Sequence, residues 1–360
     1  MLKEDFFLPI SLSTVKVILF GNIKGVKQAL SYLDKERVCA IVNASNHPEY
    51  REEFHALAHE LHVPFLIQPK KTDSLYTDWI RSIEKIAPSF LISNSYSMIL
   101  PPEVLKIPRA CINLHGGILP QFRGSNPRQW TLIENKQESG CSMHLMTPKV
   151  DEGPVIAVKK FPVLLTDTWR DLAVKDQQCA SDLLKRFIPK ILSGEKITVL
   201  KQNETLAKTW RHRNPEDSRL TRDMDIQKIY NTVCASVEPL PGAFWKEEHT
   251  GKKIVWDKFI PLQEITAYVL KKRPYFDGKN MLHCHTVADR LSNQLCLDCI
   301  EKNGSVVPIY IEIIGRMREL VIRPKDGATL TPVVKKLTEY FCTKEFPLSK
   351  VTFGKQSSHC

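Results

Sequence analysis

Apolar runs alternate with segments of helical spacing along the first part of the chain. Each run is short and bounded by Gly, Pro or polar residues, as buried parallel strands are. Strands that alternate with helices in this way imply right-handed crossovers and a doubly wound parallel sheet. The predicted strands are 14–21, 38–42, 64–67, 90–93 and a fifth around Asn113 and His115, and the predicted helices are 25–35, 50–62 and 74–86.

The pattern changes after residue 205. Before this point, strands predicted at 140–146 and 154–158 bracket Asp151, and a helical pattern covers 169–192. Beyond it, a polar arm and a short helix precede alternating apolar stretches, which are typical of a small barrel. The arm is 211–222, the helix 226–235, the apolar stretches 253–256, 265–270, 295–300, 307–314 and 319–322, and a last helix is predicted at 331–341. We therefore expect one domain over 1–204, a linker and barrel over 205–345, and a flexible tail over 346–360.

The fifth strand carries the side chains with the clearest chemical potential. Alternation along a strand places Asn113 and His115 on the same face, and ligands of such sheets bind beyond the carboxyl ends of the strands. The Asn113 amide is a fixed neutral donor for a developing oxyanion. His115 has a suitable pKa for proton transfer near neutral pH. Asp151 has three open roles: to orient the imidazole, to stabilise its charged form, or to hold a relaying water.

The net charge and the cysteine content indicate the kind of partner and the cellular compartment. The net charge of +11 and the pI of about 9.1 favour an anionic partner. Charge alone does not distinguish between a nucleotide, a phosphorylated metabolite, a membrane surface and RNA. Ten dispersed cysteines and no predicted secretory signal indicate reduced thiols and a cytoplasmic protein. No apolar run approaches the roughly 18 residues of a membrane span.

A second group of candidate ligands lies in the predicted barrel. The sequence His283-Cys284-His285 is followed by Cys296 and Cys299. Structural zinc sites usually show two cleaner ligand pairs, whereas here a cysteine separates the two histidines. The pattern therefore favours a thiol-rich strand, and we predict no metal site.

Three motifs together resemble a known family. They are Asn113-x-His115, then Leu119-Pro120-x-Phe122-Arg123-Gly124, then Asp151-x-Gly153-Pro154. In this order and spacing they resemble the signature of the N10-formyltetrahydrofolate-dependent formyltransferases, and residues 14 to about 260 follow the family's order. The resemblance implies a Rossmann-like domain, an OB-like barrel, and Asn113, His115 and Asp151 as the catalytic trio.

The resemblance also implies a formyl donor site and one departure from the family pattern. N10-formyltetrahydrofolate would lie against the segment from Ser95 to Pro101 and the loop containing Asp151. The residues assigned to it are Ser95, Met98, Ile99, Leu100, Pro101, Val150 and Gly153. The family commonly has serine two residues after the histidine, where this chain has Gly117.

Two subfamilies share this layout, and they differ in the amine that is formylated. Methionyl-tRNA formyltransferases usually carry a long basic insertion after the second strand, but residues 43–53 here are short and acidic. Because phosphate contacts dominate nucleic-acid affinity, nucleic acid is an unlikely partner. The resemblance is closer to sugar-nucleotide N-formyltransferases, so we expect a nucleotide-linked amino sugar as substrate. The residues assigned to it are Gly117, Leu119, Phe122, Arg123, Gly124, Asn126, Arg211 and Arg213.

Other functions stay open on the sequence alone. They are methionyl-tRNA formylation, formylation of another small amine, a non-catalytic binding module and an enzyme that hydrolyses formylfolate. Exposed barrel edges would also allow a homodimer.

Overall fold

The computed structural model describes residues 3–6, 15–164, 167–221, 224, 226–246, 253–259, 282–286, 294–300, 306–312 and 322–324. The chain divides into two compact units. The first unit contains Met1–Pro127, Glu138–Phe161 and Ala173–His212, and the second contains Arg128–Gln137, Pro162–Leu172 and Arg213–Cys360. No helix among the described residues is long and apolar enough to cross a membrane.

A nine-stranded mixed sheet forms the centre of the first unit. Its strands are β1 (Lys3–Phe6), β2 (Val17–Gly21), β3 (Val38–Ala44), β4 (Phe65–Gln68), β5 (Phe90–Asn94), β6 (Ala110–His115), β8 (Glu138–Leu145), β9 (Val155–Pro162) and β10 (Ile197–Leu200). Two short strands, β7 (Arg123–Gly124) and β11 (Thr209–Trp210), pair separately in parallel. The order in the large sheet is β1-β10-β9-β8-β6-β5-β2-β3-β4. Strands β2 to β6 are parallel, whereas β8 pairs antiparallel with β6 and β10 pairs antiparallel with β9 and β1.

Helices pack on both faces of this sheet, because successive residues of its strands point to opposite sides. Val17 and Leu19 of β2 belong to one apolar core, while Ile18 and Phe20 belong to the other. The α-helices within the described residues are α1 (Ile23–Leu30), α2 (Arg51–Leu61), α3 (Tyr76–Ile86), α4 (Pro102–Leu105), α5 (Pro127–Ile133), α6 (Trp169–Leu192) and α7 (Ile226–Cys234). The first core contains Val26 of α1, Phe54 of α2 and Leu184 of α6, and the second contains Trp79 and Ile83 of α3. The first unit is therefore doubly wound.

Local chemistry explains where several helices begin and end. The Asn22 side chain accepts a hydrogen bond from the Gly25 N–H at 2.8 Å, which caps the start of α1. That helix ends at Leu30, so the prediction of a helix to residue 35 is too long. Helix α2 ends where His62 adopts a left-handed backbone with φ 54°.

The predicted parallel sheet is confirmed in its central strands, but the sheet as a whole is mixed. The parallel core from β2 to β6 is as expected, but β8 runs in the opposite direction to β6. As a result the last residues of β8 do not reach the same sheet edge as the ends of β5 and β6. His144, near the end of β8, instead lies opposite Asn113.

The described part of the second unit contains two small sheets. One has the order β12 (Arg219–Leu220), β13 (Ala243–Lys246), β14 (Lys253–Phe259) and β18 (Ile322–Pro324). The other is an antiparallel meander of β15 (Leu282–Thr286), β16 (Gln294–Ile300) and β17 (Val306–Glu312). These strands by themselves do not define an OB-like barrel, which stays a prediction. The predicted strand at 265–270, helix at 331–341 and tail at 346–360 lie outside the described residues.

Candidate active site

His115 ends β6 and is buried beneath the loop that follows it. Its Nε2 lies 2.6 Å from the main-chain oxygen of Phe122. A carbonyl oxygen only accepts hydrogen bonds, so Nε2 is the donor in this contact. The other ring nitrogen, Nδ1, lies 3.4 Å from Oδ2 of Asp151. In the neutral imidazole Nδ1 is therefore the basic atom, and it faces a carboxylate.

Asp151 lies in the turn between β8 and β9 with a left-handed backbone, φ 56°. Its Oδ2 accepts a hydrogen bond from the Gly124 N–H at 2.9 Å. Burial raises the pKa of this carboxyl, but the charge of His115, the contact with His144 and the Gly124 N–H lower it more. The pKa of Asp151 consequently falls from 3.8 to about 2. The carboxylate is thus charged throughout the neutral range.

His144 joins Asn113 to this pair, and the sequence analysis did not identify it. Its Nε2 lies 3.4 Å from Oδ1 of Asp151 and 3.2 Å from Nδ2 of Asn113. Its Nδ1 lies 2.9 Å from the main-chain oxygen of Leu145. Asn113, His115 and Asp151 are therefore brought to one place, with His144 between the amide and the carboxylate. His144 lies at the site because β8 pairs antiparallel with β6, which places it opposite Asn113. A correct prediction of the direction of β8 would have identified it.

The loop after β6 is fixed from below by Ser142 of β8. The Ser142 hydroxyl donates to the Gly117 carbonyl at 2.6 Å and accepts from the Leu119 N–H at 3.1 Å. A Cβ on Gly117 would lie 2.9 Å from Nε2 of His115 and 2.9 Å from Cβ of Pro127. Gly117 therefore occupies a position where a side chain does not fit without movement.

Residues 122–126 of the same loop are fixed from the side. The buried Phe122 ring stacks on Trp210 with centroids 5.8 Å apart. The Arg123 guanidinium is buried, forms two hydrogen bonds to Glu204 at 3.0 and 2.8 Å, and donates to Gln202 at 3.0 Å. These contacts face the protein, so the structure gives Arg123 a place in the scaffold of the loop.

Two backbone positions of this loop are left-handed. Gly124 has φ 90°, and a Cβ there would lie 2.2 Å from the main-chain oxygen of Trp210. Asn126 has φ 57°. Of the predicted substrate residues, Gly117, Leu119, Phe122, Arg123, Gly124 and Asn126 thus all lie in the loop that contacts His115 and Asp151.

The predicted donor residues occupy the loop after β5 and the turn before Asp151. Because Asn94 of β5 pairs with Leu114 of β6, residues 95–101 leave the sheet at the same edge as His115. Ile99 is 73% exposed and Val150 is 44% exposed, whereas Leu100 and Pro101 are buried. Ser95 is left-handed with φ 58°, and Met98 accepts from the Ser45 hydroxyl at 3.7 Å. The exposed apolar side chains of Ile99 and Val150 can pack against a flat ring of a ligand at this edge of the sheet.

Gly153 supports the turn that carries Asp151. A Cβ at this position would lie 1.8 Å from the Leu145 carbonyl oxygen. The Gln202 side-chain amide donates to the main-chain oxygens of Asp151 and Gly153, both at 2.7 Å. Gly153 therefore acts through the backbone of the turn.

The two arginines predicted to contact a diphosphate lie in different units. Arg211 is exposed in the first unit, and its Nη1 donates to the His212 carbonyl at 3.0 Å. Arg213 belongs to the second unit, where it donates to the Ala235 carbonyl at 2.9 Å and to the hydroxyls of Ser218 and Ser236.

No cluster of His, Cys, Asp or Glu among the side chains that the structure describes has a metal-binding arrangement. The side chains of His283, His285, Cys296 and Cys299 lie outside the described set, so the zinc alternative keeps its status as a hypothesis.

Comparison with known proteins places this geometry in context. Residues 15–188 match the family described as formyl transferase. The bifunctional polymyxin resistance protein ArnA of Wigglesworthia glossinidia brevipalpis is 31% identical over 196 residues, which are 54% of this chain and 29% of that protein. This chain therefore matches less than a third of the length of that relative.

Three solved structures share the fold. A sugar N-formyltransferase from a Shewanella species has a TM-score of 0.57 and 19% identity, and the match covers 69% of this chain and 99% of that one. A 4-N formyltransferase from Francisella tularensis has a TM-score of 0.55 and 18% identity, with the same two coverages. An N-formyltransferase from Helicobacter canadensis, in complex with folinic acid and dTDP-3-aminofucose, has a TM-score of 0.54 and 16% identity, and the match covers 83% of this chain and 99% of that one. At these identities the likeness is one of fold.

Proposed function

We propose that the chain moves a formyl group from N10-formyltetrahydrofolate to the amine of a nucleotide-linked amino sugar, with residues 15–188, which match the formyl transferase family, as the catalytic domain. The observation that carries the proposal is the cluster in which the Asp151 carboxylate lies between the imidazoles of His115 and His144, with the Asn113 amide beside His144. The donor supplies an activated formyl carbon. The protein supplies a fixed amide donor, a base and a countercharge.

Asn113 stabilises the charge that develops on the formyl oxygen. When the amine nitrogen bonds to the formyl carbon, electron density moves to that oxygen. One N–H of the Asn113 amide faces His144, which leaves the second N–H for the oxygen. A pre-oriented donor of this kind contributes about 3 to 4 kcal/mol to the stability of the transition state.

His115 removes the proton that the attacking amine must lose. Because Nε2 is bound to the Phe122 carbonyl, the proton is accepted at Nδ1. Asp151, 3.4 Å from Nδ1, stabilises the resulting imidazolium. The bond from the formyl carbon to N10 breaks, and N10 receives a proton in place of the one taken from the amine. The products are a formamide and tetrahydrofolate.

The acceptor proposal is supported by charge and by the related structures. The net charge of +11 suits a nucleoside diphosphate group. The Helicobacter canadensis enzyme was solved in complex with folinic acid and dTDP-3-aminofucose, and that complex supports the proposed donor and acceptor. Arg211 is exposed and is a proposed contact for the diphosphate. Arg213 is a separate candidate for the same role.

Incubation with N10-formyltetrahydrofolate and a panel of nucleotide-linked amino sugars tests the proposal. We expect tetrahydrofolate release together with a sugar product heavier by one carbonyl group, measured by absorbance and mass spectrometry. Formylation of charged initiator tRNA, but of no sugar, would overturn the substrate class. Folate turnover that is indifferent to any amine would indicate hydrolysis, and folate binding without turnover would indicate a binding module.

The roles of two residues give a sharper test. Asn113→Ala and His115→Ala should each lower kcat roughly 100- to 1000-fold, because a donor or a base is lost from the transition state. The matched control is His59→Ala, on the exposed side of α2, which should keep the wild-type rate. Circular dichroism establishes that each variant is folded. A wild-type rate in either site variant would remove that residue from the mechanism.

A further inference from the structure

His144 has one nitrogen committed to the backbone and one directed at the reacting groups. Nδ1 lies 2.9 Å from the Leu145 carbonyl oxygen and must carry a proton to bind it. In the neutral ring this leaves Nε2 without a proton. That bare nitrogen lies 3.2 Å from the Asn113 side-chain nitrogen, closer than the 3.4 Å to Asp151. Nε2 therefore accepts a hydrogen bond from Asn113.

This contact determines which way the Asn113 amide is turned. An amide has two faces of opposite character, a carbonyl oxygen and an NH2 group, and rotation by half a turn exchanges them. With a hydrogen-bond acceptor beside it, Asn113 presents its nitrogen to His144 and holds its second N–H in a fixed direction. We propose that His144 is a positioning residue that keeps Asn113 turned as a hydrogen-bond donor for the formyl oxygen. This inference rests on the proposed function.

The alternative arrangement is physically distinct. If Nε2 of His144 carried a proton, it would donate to Oδ1 of Asp151, and Asn113 would turn its own oxygen toward the ring. The titratable groups that face His144 are the Asp151 carboxylate, 3.4 Å from Nε2, and the His115 imidazole, with ring centroids 6.4 Å apart. In that state the Asn113 amide would lose its preferred orientation toward the formyl oxygen.

Two substitutions at this position separate the hydrogen bond from the bulk of the ring. In His144→Gln, the side-chain oxygen can take the place of Nε2 as an acceptor, whereas His144→Leu has no acceptor. We expect His144→Leu to lower kcat by roughly 100-fold, the effect of a misplaced catalytic group, with little change in KM. His144→Gln should recover most of that loss. His59→Leu and His59→Gln, on the exposed side of α2, are the matched controls.

A double-mutant cycle tests whether His144 acts through Asn113. In an Asn113→Ala background the amide is absent, so adding His144→Leu should cost almost nothing further in kcat. An equal loss in both backgrounds would show that His144 acts elsewhere and would overturn the proposal. If His144→Leu fails to fold, the kcat of His144→Gln decides. A value near that of the wild type supports the role of an acceptor at this position, and a loss of roughly 100-fold overturns it.

Imidazole ¹⁵N NMR of the folded protein gives a readout that needs no activity. We expect the neutral ring of His144 to carry its proton on Nδ1 and none on Nε2, and the Nε2 resonance to shift in Asn113→Ala. A protonated Nε2 would overturn the proposal even if the protein is a formyltransferase. If His144 shows the expected tautomer but the protein transfers no formyl group, the proposed function fails and the orientation of Asn113 by His144 stands.

Discussion

At the scale of the residue, Gly117 shows how a departure from a family pattern is accommodated. The formyltransferases that the sequence resembles commonly have serine here, and in this chain the glycine lies against the ring of His115 and the ring of Pro127. The hydroxyl of Ser142 reaches the loop from the neighbouring strand and binds both the Gly117 carbonyl and the Leu119 N–H. A hydroxyl therefore contacts the backbone at Gly117 although position 117 itself does not supply one.

Gly117→Ser should consequently harm this protein, even though it restores the commoner family residue. The new Cβ would lie 2.9 Å from both Nε2 of His115 and Cβ of Pro127, and overpacking of this kind costs roughly 1 to 3 kcal/mol of stability. We expect a lower urea midpoint and a lower kcat from the displaced imidazole. An unchanged midpoint with full activity would show that the loop relaxes freely.

Sequence reasoning identified part of the site, and the missing part has a common cause. Asn113 and His115 lie on one strand, so periodicity alone places them on one face. The residues that were missed are separated in sequence from the groups they contact by 31 to 81 residues, and they are His144, Gln202 and Glu204. Such contacts follow from strand direction and loop path, which local pattern does not encode.

At the scale of the element, the loop after β6 is held by a segment from much later in the chain. Strand β11 pairs in parallel with β7, and the Arg123 N–H and Pro120 carbonyl bond to the backbone of Lys208. Gln202, just upstream, binds the turn that carries Asp151. The segment 202–210 therefore fixes both loops that meet at His115.

Gln202→Ala should loosen this arrangement. The substitution leaves the Asp151 and Gly153 carbonyls and the buried Arg123 Nε without their partner, and an unmet buried group costs roughly 1 to 3 kcal/mol. We expect a loss of stability in urea unfolding and a kcat reduced less than by removal of the Asp151 carboxylate. Gln178→Ala, at an exposed position of α6, is the control and should leave both values unchanged.

Elements were predictable where they are long or wholly apolar. The boundaries predicted for α6 agree with the structure, and β2 to β6 lie within two or three residues of the predicted runs. The polar strand β1 and the short strands β7, β10 and β11 were missed, because two to four residues carry too little periodicity. Their pairing partners, rather than their own sequences, make them strands.

At the scale of the whole molecule, the buried carboxylate of Asp151 links stability to pH. Its pKa in the folded state is about 2, below the 3.8 of an ordinary aspartate. A depressed folded pKa stabilises the protein above the unfolded pKa, and this contribution is lost as the pH falls from about 4 to 2. Its size is roughly 2 kcal/mol for a shift of this magnitude.

Asp151→Asn should remove this contribution while keeping a side chain that tolerates a left-handed backbone. We expect the variant to be less stable than the wild type at neutral pH, and the difference to shrink as the pH is lowered from 4. Urea unfolding at several pH values measures it. Asp182→Asn is the matched control, since its ion pair with Lys159 is partly exposed and contributes little. A difference independent of pH would show that the carboxylate charge is not the cause.

The left-handed turn at Asp151 has an evolutionary consequence. Glycine, asparagine, aspartate and histidine adopt such a backbone more readily than most residues, and His62 and Asn126 do so elsewhere in this chain. Among these four residue types only aspartate brings a negative charge. Exchange for glutamate, the usual conservative swap, keeps the charge but strains the main chain. Few substitutions at position 151 therefore keep both the backbone conformation and the charge. A related protein that had lost the activity would most readily have asparagine or glycine there.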